Sequence, residues 1–364
     1  MKRKLKVAVS GVGWCGCEHI KAFQSHPDCE VVLLHGRNVD RITKNLGKYG
    51  IKGTFANITN REEEIFADPS IDIVSIAGIN STHCSLAIEA ARAGKHIMIE
   101  KPVARDEREL ASLLREVQKS GVKTIVSFEL YWNPLFKVAR WLKESGRLGE
   151  VMFVRSNYHS RVNASYSGWQ WCRTKDEGRS ILLNAGCHSV DAVRSFTNDS
   201  PVSASAFHIS GLAQGYEYPT TIHANFRFSA GQLGQISASA DTASPYHFGL
   251  EVYGTQLSLV NQYIRWPKDG EFSLEALQRE CPLENVRFFL EPYSETFSQI
   301  RVDCVLPNSV NVDHHPFREE VSAFVDAIHR DVPAPLSLDR AAITHRLCFA
   351  ADYSAEQNGS LVTL

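Results

Sequence analysis

Along the first third of the chain, short apolar runs alternate with stretches whose apolar residues recur at helical spacing. Leu5–Ser10 (LKVAVS), residues 30–35 (EVVLLH), residues 72–77 (DIVSIA), Ile97-Met98-Ile99 and residues 124–128 are short and rich in β-branched residues. They read as strands covered on both faces. Between them, Ile20 and Phe23 lie on a helix that ends before Pro27. Leu86, Ala87, Ala90 and Ala91 lie on a second, capped by Ser81 or Thr82 and stopped by Gly94. Leu110, Leu113, Leu114 and Val117 mark a third over residues 107–119. Strand, helix and strand in repetition predict βαβ units in a parallel sheet.

The pattern changes near Tyr131-Trp132-Asn133-Pro134. A helix is predicted over residues 135–145, ending at Gly146, and Val151–His159 reads as a strand. Residues 220–228 and 233–240 flank Ser229-Ala230-Gly231-Gln232 and predict a hairpin, and residues 249–253 add a strand. Such a run predicts an α+β domain with an antiparallel or mixed sheet. Near the end, Phe317, Val321, Phe324 and Ile328 form one stripe of a helix over residues 316–330. The predicted division is an α/β domain over residues 1–128 and an α+β domain over residues 129–364.

A chain of 364 residues is too long for one ordinary core, which agrees with two domains. The formal net charge is −2, with no long block of one sign, so nothing points to nucleic acid or an anionic membrane. The basic start runs only into Val7-Ala8-Val9, too short for a signal sequence, and no apolar run reaches the length of a membrane span. Nine cysteines, an odd number without a C-x-x-C, fit reduced thiols in a cytoplasm better than a disulfide framework or structural zinc.

Four stretches carry candidate chemistry. Gly11-Val12-Gly13-Trp14-Cys15-Gly16 is G-x-G-x-x-G between a strand and a helix, the setting in which it signals dinucleotide binding. The glycines allow a tight turn, close approach to a pyrophosphate and close helix packing, and the helix amino terminus offers free N–H groups. At the end of the second strand, Gly36-Arg37-Asn38 stands where an NAD-specific fold carries an acidic residue for the ribose. A guanidinium there leans toward the 2′-phosphate of NADP, with NAD left open.

In the third stretch, residues 95–102 (KHIMIEKP), a strand breaks into Glu100, Lys101 and Pro102. Ligands of open α/β sheets bind beyond the carboxyl ends of the strands, so Lys101 is placed for chemistry. The bland alternative is a solvated strand end. In the fourth, Asn184 and His188 share a helix face in residues 178–191 (GRSILLNAGCHSVD). Just upstream, Trp169, Trp171 and Arg173 in WQWCRT suit either sugar stacking or a core. Tyr131, Tyr158 and His159 are candidate pocket residues, and His314-His315 lacks a third ligand at metal spacing, so no metal is expected.

The glycine loop, the Asn80-Ser81-Thr82-His83 helix start, the A-G-K-H-x-x-x-E-K-P run and the G-x-H-x-x-D segment together resemble the glucose–fructose oxidoreductase and inositol dehydrogenase (Gfo/Idh/MocA) family. The resemblance covers essentially the whole chain. It implies a Rossmann dinucleotide-binding domain followed by an α+β domain with a large open-faced, mostly antiparallel sheet. That sheet carries the substrate and pairs subunits into a homodimer or higher homo-oligomer. It implies NAD(P) held by Gly11, Gly13, Trp14, Cys15, Gly16, Arg37, Asn38, Asn80, His83, Glu100 and Lys101, tightly in some members.

Lys101 and His188 become the expected catalytic pair, acting in a crevice between the domains. Tyr131, Tyr158, Trp171 and Arg173 are expected beside the substrate. Asn184 departs from the family's aspartate; it can orient His188 but cannot supply negative charge. The implied reaction is hydride transfer between NAD(P) and a ring alcohol of a sugar or glycoside, with C3 favoured. The alternatives are a cyclitol or dihydrodiol dehydrogenase and a non-catalytic dinucleotide- or sugar-binding regulator.

Overall fold

The computed structural model describes residues 3–164, 166, 168–197, 200–209, 215–270, 272–307 and 315–364. The chain divides into two compact units, Met1–Phe128 with Phe317–His345, and Glu129–Pro316 with Arg346–Leu364.

The first unit is built on six parallel strands: Leu5–Ser10 (β1), Cys29–His35 (β2), Asn57–Thr59 (β3), Ile73–Ile76 (β4), His96–Glu100 (β5) and Thr124–Ser127 (β6). Their order is β3-β2-β1-β4-β5-β6, so the winding reverses between β1 and β4. This switch point is where open α/β sheets leave a crevice at the strand ends. Val7, Ala8, Val9, Ile73, Val74, Ile97, Met98 and Ile99 are fully buried, as the unbroken apolar runs require. β3 is an edge strand of three residues, too short to leave a pattern in the sequence.

Two sequence expectations are corrected here. The helix Asn80–Arg92 has no side-chain cap, and the Thr82 hydroxyl donates to the Ile79 carbonyl instead. The helix begins at Asn80, so Ser81 and Thr82 already lie inside its first turn. Residues 317–345, assigned to the second domain, belong to the first unit. The helix Phe317–His329 buries Phe317, Val321, Phe324 and Val325 against it. The Val126 N–H donates to the Leu336 carbonyl, and the Leu338 N–H to the Thr124 hydroxyl. The Val103 N–H donates to His345 Nε2.

The second unit opens with the turn Glu129–Trp132 and the helix Pro134–Glu144, capped by Asn133 with proline at its first position. Its ten strands are Val151–His159 (β7), Pro201–Ile209 (β8), Thr221–Phe228 (β9), Leu233–Ser239 (β10), His247–Gly254 (β11), Ser258–Val260 (β12), Tyr263–Pro267 (β13), Arg287–Glu291 (β14), Phe297–Asp303 (β15) and Val362–Thr363 (β16). Among the described residues only β10 and β7 pair in parallel; the other ladders are antiparallel.

The strands alternate cleanly. Val154, Ser156, Ala224, Phe226, Ile236 and Ala238 are buried on one face, while Phe207, Asn225, Arg227 and Leu233 lie on the other, where Phe207 and Leu233 are exposed. The helix Cys187–Phe196 covers the buried face. It lies close because a Cβ at Gly186 would come within 2.6 Å of Ala238 Cβ, and one at Gly234 within 2.3 Å of Val193 Cγ1. Those two glycines seat the helix that carries His188.

Replacing Phe324, fully buried in the first unit, by alanine is expected to lower unfolding stability by about 3–5 kcal/mol. Denaturant unfolding should register this loss. A neutral effect would contradict the place of residues 317–345 in the core.

Candidate active site

In the first unit the glycine loop shapes the strand ends. Gly11 turns the chain at φ +93°. A Cβ at Gly11 would lie 2.3 Å from the Gly78 nitrogen, and one at Gly16 would lie 1.9 Å from the Gly11 carbonyl oxygen. Neither position tolerates a side chain. A Cβ at Gly13 would meet nothing within 4 Å. The protein's own packing therefore demands two glycines, while the third faces open space.

The helix Trp14–Ser25 starts there with no side-chain cap and no acidic residue in its first turn. The positive end of its dipole favours an anion there. Together with the open space at Gly13 this suits a pyrophosphate, so the loop fits NAD(P). Trp14, half-buried at the helix start, meets Phe317 edge-on at 6.2 Å. Cys15 beside it is also half-buried.

At the end of β2, buried His35 pairs through Nδ1 with the Ser10 hydroxyl at 2.8 Å. Arg37 and Asn38 follow, both exposed. Asn38 Oδ1 accepts from the Arg41 N–H at 2.8 Å and caps the helix Val39–Lys48. That side chain is a cap first, which the sequence reading did not foresee.

His83 has a structural duty as well. Its Nδ1 lies 2.8 Å from the Pro102 carbonyl and its Nε2 3.2 Å from the Gly78 carbonyl. The ring lies between the loop after β4 and the loop after β5, which opens with the half-buried Lys101. Burial lowers its pKa against the hydrogen bond to Pro102, so the ring is neutral and donates through one nitrogen. Asn80, three residues earlier, is buried at the same helix start.

Glu100 turns inward. Its Oε1 lies 3.3 Å from Nε2 of His19, a residue fully buried beneath the strand ends. His19 Nδ1 meets the Ser75 hydroxyl at 2.8 Å, and Ser127 Oγ lies 3.5 Å from its Nε2. Ser127 in turn donates to Glu320 Oε2 at 3.2 Å. A ring that accepts from Ser75 has its N–H at Nε2, aimed at Glu100. This network fixes the residue next to Lys101. His19 and Glu320 escaped sequence reading because each sits on an apolar helix face far from Glu100 in the chain.

In the second unit, the segment before His188 forms a π-helical turn, Leu182–Gly186, that runs into the α-helix. Asn184 and His188 therefore straddle a change of helix type, not one regular α-helix as expected; such turns recur at functional sites. Asn184 Nδ2 donates to the Tyr218 hydroxyl at 3.3 Å, and that hydroxyl donates to the Cys172 carbonyl at 2.5 Å. Burial pushes the Tyr218 phenol well up, so it stays protonated and can donate.

His188 is buried, with Tyr158 stacked parallel to its ring at 5.9 Å and 13°. Tyr246 meets Tyr158 edge-on at 5.3 Å. Glu129 approaches the imidazole: its Oε1 lies 3.7 Å from His188 Nε2 and 2.7 Å from His315 Nδ1. Glu129 follows β6 after one intervening residue, Phe128, so the strand-end rule that singled out Lys101 also points to it. His315 was weighed only as half of a metal pair; its neighbour His314 lies outside the described residues. Among the described residues no His, Cys, Asp or Glu group is arranged to hold a metal.

The remaining candidates divide. Tyr158 lies beside His188, but His159 points to the opposite face of the sheet, where its Nε2 meets the Ser237 hydroxyl at 2.7 Å. Tyr131 carries the Arg140 guanidinium 3.6 Å above its ring, so that face is occupied. Arg173 Nη1 donates to the Gly215 carbonyl at 3.1 Å, which pins the segment ending at Trp171 and Cys172.

Gly13→Ala and Gly16→Ala separate ligand from fold. Gly13→Ala is expected to cost at most about 1 kcal/mol of stability while weakening NAD(P) binding about tenfold or more. Gly16→Ala is expected to lower the melting temperature as well. Fluorescence titration and thermal melts would read the two effects, and equal behaviour of the variants would contradict the open space at Gly13.

A model of the oxidoreductase family with an NAD-binding Rossmann fold matches residues 5–128, and a model of the GFO/IDH/MocA C-terminal domain matches residues 136–260. Together they cover more than half of the chain. The chain is 26% identical over 257 residues to 1,5-anhydro-D-fructose reductase of Ensifer adhaerens, 70% of this chain and 75% of that protein. It is 26% identical over 297 residues to levoglucosan dehydrogenase of Pseudarthrobacter phenanthrenivorans, 72% of this chain and 75% of that one. A structure of levoglucosan dehydrogenase in complex with NADH superposes with a TM-score of 0.82 at 20% identity, covering 99% of both chains. The two matched domains, the glycine loop and the mixed open sheet make this chain an oxidoreductase of the Gfo/Idh/MocA family, with that family's NAD-binding Rossmann fold.

Proposed function

We propose that the protein oxidises, reversibly, a ring secondary alcohol of a sugar or glycoside, C3 being the favoured position. The observation that carries this reading is Lys101 at the strand end of a glycine-loop domain in a chain that also holds His188 against Tyr158. The names of the relatives, an anhydrofructose reductase and a levoglucosan dehydrogenase, support a cyclic sugar over an open-chain alcohol.

When bound, NAD(P) accepts or returns the hydride. Gly11, Gly13 and the start of the helix Trp14–Ser25 hold its pyrophosphate. His188 takes the hydroxyl proton, and the stacked Tyr158 keeps its imidazole in one plane. Lys101 stabilises the developing alkoxide charge, held in place by Glu100 before it and Pro102 after it. Arg37, exposed after β2, receives a 2′-phosphate, so NADP is favoured over NAD. A second copy of the chain is the proposed occupant of the open sheet face around Phe207 and Leu233. Nine cysteines without a disulfide among the described residues suit a reducing cytoplasm.

Lys101→Ala and His188→Ala should each lower turnover by about 10²–10⁴-fold. The assay follows reduced nicotinamide at its absorbance band across a panel of pyranoses, glycosides and cyclitols, with a keto-sugar acceptor to unmask a tightly held cofactor. Turnover unchanged in either variant removes that residue from the reaction. Arg37→Ala should weaken NADP about tenfold or more and leave NAD nearly unaffected. A wild-type preference for NAD would overturn the NADP assignment.

A further inference from the structure

The one gap in the catalytic set is charge. Asn184, one turn before His188, is neutral, and its amide donates to the Tyr218 hydroxyl. His188 is buried, so a proton taken up by its ring has to be met by protein groups. A general base in this position needs a negative charge nearby.

We propose that Glu129 is the carboxylate partner of His188, a positioning residue that does from the turn after β6 what an acidic residue at 184 would do from the helix. This rests on the reading of His188 as the proton acceptor. Glu129 Oε1 lies 3.7 Å from His188 Nε2, an ion-pair distance that shortens to a hydrogen bond once the imidazole takes up a proton. The carboxylate is itself buried, with 6% of its side chain exposed. A carboxylate so placed is costly unless cationic or donor groups meet it. His315 Nδ1 meets the same oxygen at 2.7 Å, so one carboxylate stands between two imidazoles.

Two phenols, a paired carboxylate and a guanidinium stand around this cluster. Tyr158, from β7, stacks on the imidazole, and Tyr246 meets Tyr158. Burial holds the Tyr246 phenol well above its ordinary range, with Tyr158 and Glu129 adding to the effect, so it stays neutral. Asp191, one turn beyond His188, is engaged by Arg194 at 2.9 Å. Arg140, from the helix Pro134–Glu144, lies over Tyr131. The sign of the effect follows. Protonated His188 gains an ion pair with Glu129, so the carboxylate raises the imidazole pKa and strengthens the base. Replacing it by a neutral amide lowers that pKa.

The test titrates His188 directly in the full-length protein, with ¹³C-labelled histidine followed by NMR and the signal assigned by its loss in His188→Asn. In Glu129→Gln the His188 pKa should fall by about 1–2 pH units. The acidic limb of kcat/KM should move down by the same amount, and the plateau should drop about 3–10-fold. Glu129→Asp, which keeps the charge, should restore most of both. So should Asn184→Asp placed in the Glu129→Gln background. His188 titrating identically in wild type and Glu129→Gln overturns the proposal, as does a rate loss with an unmoved pH limb. Because the NMR titration needs no turnover, a shifted His188 pKa alongside full activity in His188→Ala would uphold the pairing and sink the catalytic reading instead.

Discussion

Everything on the dinucleotide side depends on backbone packed against backbone at the glycine loop. Gly11 sits so close to Gly78 and Ala77, and Gly16 so close to Gly11, that no side chain fits at either place. This contact lets the helix Trp14–Ser25 start directly at the end of β1, next to the switch point between β1 and β4. It also sets His19 beneath the strand ends, where it meets Ser75 and Glu100. The glycine loop and the E-K-P strand end are thus mechanically one feature. The loop places the helix, the helix places His19, and His19 holds the residue before Lys101.

The second unit repeats the logic with different atoms. Gly186 and Gly234 let the helix Cys187–Phe196 lie close on its sheet, and this presses His188 against Tyr158. Such closeness excludes water and makes charge scarce. On the proposed reading, His188 is the base, Asn184 brings it no charge, and Glu129 offsets that from a different element. In both units a buried histidine meets a buried glutamate. The low local dielectric makes each of these contacts weigh more than a surface pair would.

Local features were legible in the sequence because their causes are local. The unbroken apolar runs gave the parallel strands, the alternation gave the hairpin of β9 and β10, and the glycine spacing marked the loop. Lys101 could be found because a strand end is visible as an apolar run broken by charge. What stayed hidden depends on contacts between distant positions. His19 and Glu320 look like chance polar residues on apolar helices until Ser127 links them. Residues 317–345 have a clear amphipathic stripe, but a stripe does not say which core it covers. The π-helical turn at Leu182–Gly186 has the same apolar pattern as an α-helix, so the sequence could not separate the two. Glu129 and His315 lie on opposite sides of most of the second unit's sequence, yet the His315 ring meets the Glu129 carboxylate.

In the proposed reaction a ring carbon of a cyclic sugar gives up its hydrogen as hydride while the chain's residues handle the proton. Isotopic tracing tests this most directly. The wild-type protein would be incubated with the best sugar or glycoside of the panel, carrying deuterium at one ring carbon at a time. Deuterium is expected in the recovered reduced dinucleotide from a single labelled position, with none acquired from deuterated water. Label appearing only from the solvent, or from no ring position, would contradict it.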